Sequence, residues 1–232
     1  MSLTIIDSKH DCCGCLLTED LTPAQCQQLS MVARPQRHFQ RNEKIYRVGE
    51  RFKSVFLVQQ GSIKTETSTY DGRPVVTGFY LPGEIFGLDG LGADEYCCDA
   101  VAMEDALVCE VPFKHLTKLC TSIEGLQHRL FMLMGQRIGC HDHTLLMMHN
   151  MSAEARLCRF LTIYHERIKR YAGDPDTVMS LPMNKDDIAR YLGICPETLS
   201  RVLTKLINKG VIRKQARKLE LLDIDELYAL AS

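Results

Sequence analysis

Eleven cysteines are the residues with the most obvious chemistry in this chain, and three of them lie together as Cys12, Cys13 and Cys15. Cys12 and Cys15 have the C-x-x-C spacing, in which two thiolates can reach one metal site or react as a redox pair. The N-terminus lacks the basic start and the long apolar stretch of a signal peptide, so we expect a cytoplasmic protein. Because structural disulfides are rare in a reducing cytosol, metal binding, redox sensing or core packing must account for the cysteines.

A second group of residues, between 184 and 213, has the pattern of a helix-turn-helix that reads DNA. Asn184 is a good helix N-cap, and Gly193 suits the left-handed conformation that ends a helix. Pro196 stands where a second helix would begin, at the position that proline tolerates best. The apolar residues of this second helix recur at helical spacing and would form its inner face: Leu199, Val202, Leu203 and Leu206.

The outer face of the second helix carries side chains that could read base edges. They are Glu197, Thr198, Ser200 and Arg201, with Lys205 one turn further on. Arginine can bind guanine with two hydrogen bonds, and glutamate can accept one from the amino group of cytosine, so this face suits the major groove. An ordinary pair of packed helices with a solvated outer face would show a similar pattern.

The residues after the second helix strengthen the DNA-binding interpretation. Two β-type runs, at 211–212 and 219–222, flank a basic tip that includes Arg213 and Lys214, as in a wing that contacts phosphates. Across 181–218 there are nine Lys or Arg and three Asp or Glu, a balance of +6. Residues 153–232 carry +3 and residues 1–152 carry −4, so the positive charge lies in the C-terminal part.

The middle of the chain predicts a small antiparallel roll followed by a long helix. Glycines at 49, 61, 72 and 83 separate short β-type runs at 54–58, 63–69 and 75–81, with a further strand at 107–111. From about Ile123 to Asn150 the periodicity is helical, and no run of apolar residues is long enough to span a membrane. The helix has an apolar seam with steps of four and three: Met134, Ile138, His141, Leu145 and Met148. The seam favours pairing with a second copy of the helix, although a helix lying on its own roll would also need an apolar stripe.

These motifs together resemble those of the CRP/FNR superfamily of bacterial transcription regulators. The resemblance rests on the glycine-spaced roll, on Leu81-Pro82-Gly83-Glu84-Ile85-Phe86-Gly87, on Val108-Cys109-Glu110-Val111-Pro112-Phe113, and on Glu197-Thr198-Leu199-Ser200-Arg201. It implies an α+β chain in which a cysteine-containing segment and helix (1–30) precede a jelly-roll-like β-roll sensor domain (31–112). A long dimerisation helix region (113–151) and a winged helix-turn-helix domain (152–232) follow.

The resemblance also implies the partners of the protein. They are double-stranded DNA, a second copy of the chain, and RNA polymerase, which roll surface loops around Gly83–Glu84 would contact. The sequence holds no nucleophile motif and no phosphate loop, so we expect no enzymatic activity. Because the reader sequence is similar to that of the FNR branch, Glu197, Ser200 and Arg201 are expected to read the half-site TTGAT, twice in a palindrome bound by a homodimer.

FNR proteins hold a [4Fe–4S] cluster with cysteine thiolates, and this cofactor is implied here. Cys109 matches the distant ligand of the family, but the wider spacing of the family's N-terminal cysteines is absent. The candidates for the other ligands are Cys12, Cys13, Cys15, Cys26 and, as a substitute, His10. A thiol switch without a cluster, or a haem that senses nitric oxide, are the alternatives.

The roll differs from the family members that bind cyclic nucleotides. In those proteins a glutamate holds the ribose and an Arg-Ser pair holds the cyclic phosphate. Here the stretch reads Gly87-Leu88-Asp89-Gly90-Leu91 and then Tyr96-Cys97-Cys98-Asp99, and no arginine lies between Arg73 and Arg129. Because a phosphate needs a cation or a cluster of donors, we expect no cyclic nucleotide.

Overall fold

The computed structural model describes residues 15–172, 177–215 and 218–231. The chain divides into two compact units, one made of the residues up to Thr67 with Phe79–Ile138, and the other of Ser68–Gly78 with the residues from Gly139 onward. The predictions made for His10, Cys12 and Cys13 lie outside the described residues, as does the tip of the wing at 216–217.

Two four-stranded sheets form the roll. Its strands are β1 (Arg37–Phe39), β2 (Lys44–Tyr46), β3 (Ser54–Gln60), β4 (Ile63–Ser68), β5 (Pro74–Tyr80), β6 (Ile85–Phe86), β7 (Asp99–Ala102) and β8 (Ala106–Pro112). One sheet has the strand order β1-β8-β3-β6 and the other β2-β7-β4-β5. The four strands that the sequence predicted are β3, β4, β5 and β8; the other four have only two to four residues, too few for a clear pattern.

Strand β3 shows why the roll forms. Its first five residues are all buried, as expected of a strand covered on both faces. It pairs with β8 in an antiparallel register that opposes Val55 to Val111 and Leu57 to Cys109. The turn into β4 requires glycine, because Gly61 has a φ of +74° and a Cβ there would lie 2.5 Å from the carbonyl oxygen of Asp105.

Three helices belong with the roll along the chain: α1 (Pro23–Val32), α2 (Phe113–Ser122) and α3 (Glu124–Asn150). Helix α1 begins with a capping box between Thr22 and Gln25. Ile123 has an extended backbone and separates α2 from α3, so the region predicted at 113–151 contains two helices, of which α3 is the long one. A core cluster joins the first turn of the described chain to these helices and to β3 and β8; its members include Leu17, Leu29, Leu57, Cys109, Leu116 and Leu126.

The second unit contains the helix-turn-helix and its wing. Its elements after α3 are α4 (Ala153–Ala172), β9 (Val178–Ser180), α5 (Lys185–Leu192), α6 (Pro196–Asn208), β10 (Ile212–Gln215), β11 (Lys218–Leu221) and α7 (Ile224–Leu230). The predicted caps of the reader are confirmed, since the Asp187 amide donates to Asn184 Oδ1 at 2.7 Å and Gly193 ends α5 with a φ of +62°. The wing is the antiparallel sheet β10-β11-β9. None of the helices in the described ranges has the length and apolar character to cross a membrane.

Candidate nucleic-acid interface and sensor segment

Helix α6 presents the predicted base-reading side chains on the face opposite its buried residues. Leu199, Val202, Leu203 and Leu206 are buried. Glu197 and Arg201 are exposed, while Thr198 and Ser200 are half-buried beside them. A carboxylate and a guanidinium one turn apart on an exposed face can meet neighbouring base edges in a major groove.

The start of α6 is tied to the preceding turn by two polar groups. Pro196 occupies the first turn of the helix, as predicted. The N-cap residue Cys195 places its sulfur 3.0 Å from the hydroxyl oxygen of Thr198. Thr198 is therefore held against the turn, which leaves Glu197 and Arg201 as the more accessible of the predicted readers.

Lys185 is a further cation at this surface, and the sequence reasoning did not single it out. It is the first residue of α5, and its Nζ donates to Ser200 Oγ at 3.4 Å. The contact joins the two helices of the reader and places a positive charge beside Ser200. The signal in the sequence was a lysine directly after the N-cap, a position from which a first reader helix can approach the DNA backbone.

Lys205 lies on the outer face of α6 but already has an anionic partner. Its ammonium group forms an ion pair with Glu154, in the first turn of α4, and Lys209 Nζ lies 3.5 Å from the same carboxylate. The hydrogen bond from Lys205 lowers the pKa of Glu154. In this arrangement Lys205 braces α6 against α4, and a contact with DNA would require it to leave Glu154.

The wing carries the other two predicted contacts. Arg213 on β10 stands opposite Glu220 on β11, and its Nη1 lies 3.0 Å from the Glu220 carboxylate. Lys214 is exposed. Of the two, Lys214 is the better placed to meet a phosphate, because Arg213 is engaged across the wing.

Two of the predicted cluster ligands lie in the core of the first unit. Cys15 and Cys109, 94 positions apart in the chain, are both buried and belong to one core cluster. The Cys15 sulfur lies 3.5 Å from the hydroxyl oxygen of Thr18. Cys26 is buried too, but it lies outside that cluster, and its sulfur contacts the Leu21 carbonyl at 3.9 Å. Within the described ranges, no group of three His, Cys, Asp or Glu side chains is arranged to hold a metal ion.

The segment that follows Cys15 is fastened to helix α3 by Arg129. Its Nε donates to the Leu16 carbonyl at 2.6 Å, and its Nη2 forms an ion pair with Glu19. Asp20 lies at 4.0 Å from Nη1, and the Arg129 side chain is only 14% exposed. A largely buried guanidinium with a carbonyl and carboxylates around it holds both elements in one geometry.

Gly83 and Glu84, expected at an exposed loop of the roll, form a packed turn instead. The Leu16 amide donates to the Gly83 carbonyl at 2.9 Å. The Glu84 carboxylate is buried and accepts from the Leu81 amide at 3.0 Å. The turn therefore supports the segment after Cys15, and Pro82 beside it is exposed.

The seam predicted on α3 is only partly exposed. Ile138 and Leu145 are 63% and 60% exposed, and His141 between them is exposed too. Phe131, which the sequence reasoning did not include, lies one heptad before Ile138 and is 59% exposed. Met134, by contrast, packs on the core of its own chain. The other end of the seam, at 148, is half-buried.

The stretch that would hold a cyclic phosphate holds the carboxylate of Asp89. This group accepts hydrogen bonds from the Cys97 amide at 2.9 Å, the Cys98 thiol at 3.3 Å and the Tyr46 hydroxyl at 3.3 Å. Burial, and after it the negative charge of Asp89, raises the pKa of the Cys98 thiol to about 12. Burial also raises the pKa of Tyr46. The donors of this stretch are thus occupied by an anion of the protein itself.

Comparisons with known proteins agree with this architecture. The model of the cyclic nucleotide-binding domain matches residues 36–122, and that of the Crp-like helix-turn-helix domain matches residues 155–230. The transcriptional activator protein anr of Pseudomonas aeruginosa is 34% identical over 211 residues, which are 91% of this chain and 86% of that protein. The chain belongs to the CRP/FNR family of transcription regulators.

Other members of the family show the same relationship. The fumarate and nitrate reduction regulatory protein of Salmonella typhimurium is 29% identical over 211 residues, covering 91% of this chain and 84% of that protein. The solved structure of FixK2 from Bradyrhizobium japonicum has a TM-score of 0.78 and 27% identity, over 87% of this chain and 98% of that one. The predicted family and fold class are confirmed. This CRP/FNR family member is a DNA-binding transcription regulator and not an enzyme.

Proposed function

We propose that this regulator responds to oxygen or redox state through a [4Fe–4S] cluster and binds a palindromic FNR-type site as a homodimer. The observation that carries the sensing part is the burial of Cys15 and Cys109 in one core cluster, although they are far apart in the chain. The names of its relatives agree, since one is called an anaerobic regulatory protein, in Haemophilus influenzae.

The donor set fits an iron–sulfur cluster, because thiolates are the ligands such clusters require. Cys15 and Cys109 would supply two of them, and Cys12, with Cys13 as the remaining candidate, the others. Cys26 is the weaker choice because its sulfur faces the Leu21 carbonyl on α1. When bound, the cluster supplies a centre that oxygen can oxidise.

Arg129 connects the segment after Cys15 to the long helix α3. Arg129 holds the backbone of Leu16 and the carboxylate of Glu19 against α3. If Cys15 were a ligand of the cluster, the segment after it would be held in place and Arg129 would stay engaged. If the segment were released, Arg129 on α3 would lose its contacts with Leu16 and Glu19, and α3 would lose the packing of Leu17, a completely buried side chain.

Helix α3 would pair with its copy along the exposed stripe of Phe131, Ile138 and Leu145. Large apolar side chains at a seven-residue spacing are the pattern by which two helices pack. A dimer would place two α6 helices on successive major grooves, about one DNA turn apart. In this proposal, DNA is the partner of the second unit. We also propose that the protein is cytoplasmic. RNA polymerase remains a proposed partner, and no surface is assigned to it.

We propose no cyclic nucleotide for the roll, although the roll matches that domain family. The Asp89 carboxylate carries a negative charge and occupies the donors of the stretch. A cyclic phosphate would meet this charge without a compensating arginine.

Iron and acid-labile sulfide, measured on protein purified without oxygen, test the sensing proposal. We expect about four irons per chain and a visible spectrum that bleaches in air. Cys15→Ser and Cys109→Ser should each lower the iron content, whereas Cys158→Ser, a buried cysteine of the second unit, should not. Full iron content in Cys109→Ser would overturn the ligand assignment.

The same measurement separates the alternatives. A sharp haem band in place of the broad iron–sulfur shoulder would move the sensing to haem. Absence of iron and sulfide even after reconstitution would move it to thiols and leave the DNA reader unchanged. Cys26→Ser distinguishes the two candidate sets, because it should retain iron if Cys13 is a ligand.

Sedimentation of an anaerobic sample tests the dimer. Ile138→Asp places a charge in the middle of the stripe and should shift the protein to a monomer. Gln136→Asp, also exposed but off the stripe, is the matched control and should remain dimeric. A dimeric Ile138→Asp protein would contradict the assigned interface.

A further inference from the structure

Arg156, in the first turns of α4, holds together the ends of two other helices. Its Nη2 donates to the Met148 carbonyl at 2.6 Å, and its Nε to the Met151 carbonyl at 3.1 Å. Its Nη1 donates to the Leu192 carbonyl at 3.1 Å. Met148 is in the last turn of α3, and Leu192 is the last residue of α5.

The chemistry of these acceptors explains why an arginine stands here. The last carbonyl groups of a helix have no partner within the helix, and they carry the negative end of its dipole. One guanidinium satisfies carbonyls at both helix ends at once and neutralises both dipoles. Its planar fork of five N–H donors can do so in a fixed geometry, which a lysine ammonium cannot.

The same two helix ends are in direct contact beside the guanidinium. Met148 Sδ lies 3.7 Å from Arg156 Nη1. A Cβ added to Gly193, in the turn of the reader, would lie 2.9 Å from the same sulfur. A side chain at 193 would have to displace Met148, and the φ of +62° itself favours glycine, so the end of α3 is packed onto the turn between the two reader helices. Met148, predicted to lie in the dimer seam, has this second role within its own chain.

We infer that Arg156 is a positioning residue that fixes the reader onto the end of the long helix and thereby sets the distance between the two readers of the dimer. Arg156 does not read DNA itself. Its clamp lies one turn beyond Leu145, the last exposed residue of the proposed dimer stripe. Helix α5, held by the clamp, carries α6 with it through the turn at Gly193. This inference rests on the proposed dimeric reading of a palindrome.

The consequence concerns how two half-sites are bound together. A second reader adds to the affinity only if its position matches the second half-site, and the gain is lost when the geometry forbids simultaneous binding. With the clamp intact, the affinity should therefore depend steeply on the spacing between the half-sites. Without it, each reader should still recognise its own half-site, but the spacing should matter little.

Fluorescence anisotropy with the full-length anaerobic protein tests this inference. The probes are labelled duplexes with one TTGAT half-site, with the palindrome, and with palindromes whose half-sites are moved apart by one and two base pairs. Arg156→Met removes the charge and the donors but keeps the length of the side chain. Arg159→Met, an exposed arginine one turn further along α4, is the matched control, and Arg156→Lys tests whether charge alone suffices.

For Arg156→Met we expect half-site affinity within about twofold of wild type, a palindrome affinity lowered by about tenfold or more, and a flattened spacing profile. Arg159→Met should behave as wild type, and Arg156→Lys should recover the profile only in part. An unchanged spacing profile in Arg156→Met would overturn the inference. So would an equal loss on the half-site and on the palindrome, because that result indicates a damaged reader. A wild-type protein without preference for the palindrome would instead contradict the proposed function.

Discussion

Replacing Arg201 by alanine should abolish sequence-specific DNA binding while it leaves the fold intact. Arg201 is exposed on α6, and the residues that hold the helix in place are on its other face. Truncating an exposed side chain changes the free energy of unfolding by about 0.5 kcal/mol or less. The melting temperature of the variant should therefore stay within about 2 °C of the wild-type value.

The loss of affinity follows from the two copies of Arg201 in a dimer. One bidentate pair between arginine and guanine contributes about 1–3 kcal/mol of discrimination. A palindrome contains two such pairs, so the expected loss is about 2–6 kcal/mol. At about 1.4 kcal/mol for each factor of ten, the dissociation constant should rise by a factor between about 30 and 20,000.

Anisotropy titrations with the palindrome and with a scrambled duplex of the same composition measure this effect. Binding to the scrambled duplex should be little changed, because contacts with phosphates do not depend on sequence. Asn208→Ala, at an exposed position two turns further along α6, is the matched control and should keep its specificity. An Arg201→Ala protein that still distinguished the palindrome from the scrambled duplex would refute the role of Arg201.

Three further predictions concern single contacts. Because Lys205 lowers the pKa of Glu154 below its ordinary value of 4.5, wild type should be more stable than Glu154→Gln above about pH 4.5. That stability advantage should disappear as the pH falls through the lowered pKa of Glu154. Urea unfolding of both proteins at several pH values would measure the difference, and equal stability at pH 7 would contradict the prediction. Gly193→Ala should lower the free energy of unfolding by about 1–2 kcal/mol, because alanine is strained at positive φ. Gly139→Ala, in the middle of α3 with no atom within 4 Å of the added methyl, should raise it by about 0.5–1 kcal/mol, and thermal melts that gave both variants the same sign would refute this reasoning. Since burial raises the pKa of Cys98 to about 12, iodoacetamide at pH 8 should label the exposed cysteines long before it, as read by mass spectrometry; early labelling of Cys98 would be inconsistent with its contact to Asp89.

The parts of the fold that depend on neighbouring residues could be predicted from the sequence. Asn184, Gly193 and Pro196 act within one turn of the helices that they begin or end, so their residue types alone located the reader. The longer strands were found for the same reason, since glycine turns and β-branched runs are local signals. The helical periodicity that begins at about Ile123 likewise located the start of α3 at Glu124 within one residue.

Contacts between residues far apart in the chain could not be predicted from local sequence patterns. Lys205 was read as a DNA contact because it follows Arg201 by one turn, yet its partner Glu154 is 51 positions away. Met148 fits the seam by its spacing, but the turn at Gly193 packs on it. Likewise, the presence of Cys15 and Cys109 in one core cluster depends on how the chain returns to β8. The resemblance to a family suggested that pair, and the spacing alone could not.

The affinity of one anaerobic preparation for the palindrome, measured before and after exposure to air, tests the central claim most directly. If a cluster held by Cys15 and Cys109 keeps the segment after Cys15 fastened to α3, air should weaken binding by about tenfold or more as the dimer dissociates. Binding to a single half-site should change little, because α6 belongs to the second unit, whereas Cys15 and Cys109 belong to the first. An equal affinity for the palindrome before and after air, in a protein whose visible spectrum has bleached, would contradict the coupling between sensing and DNA binding.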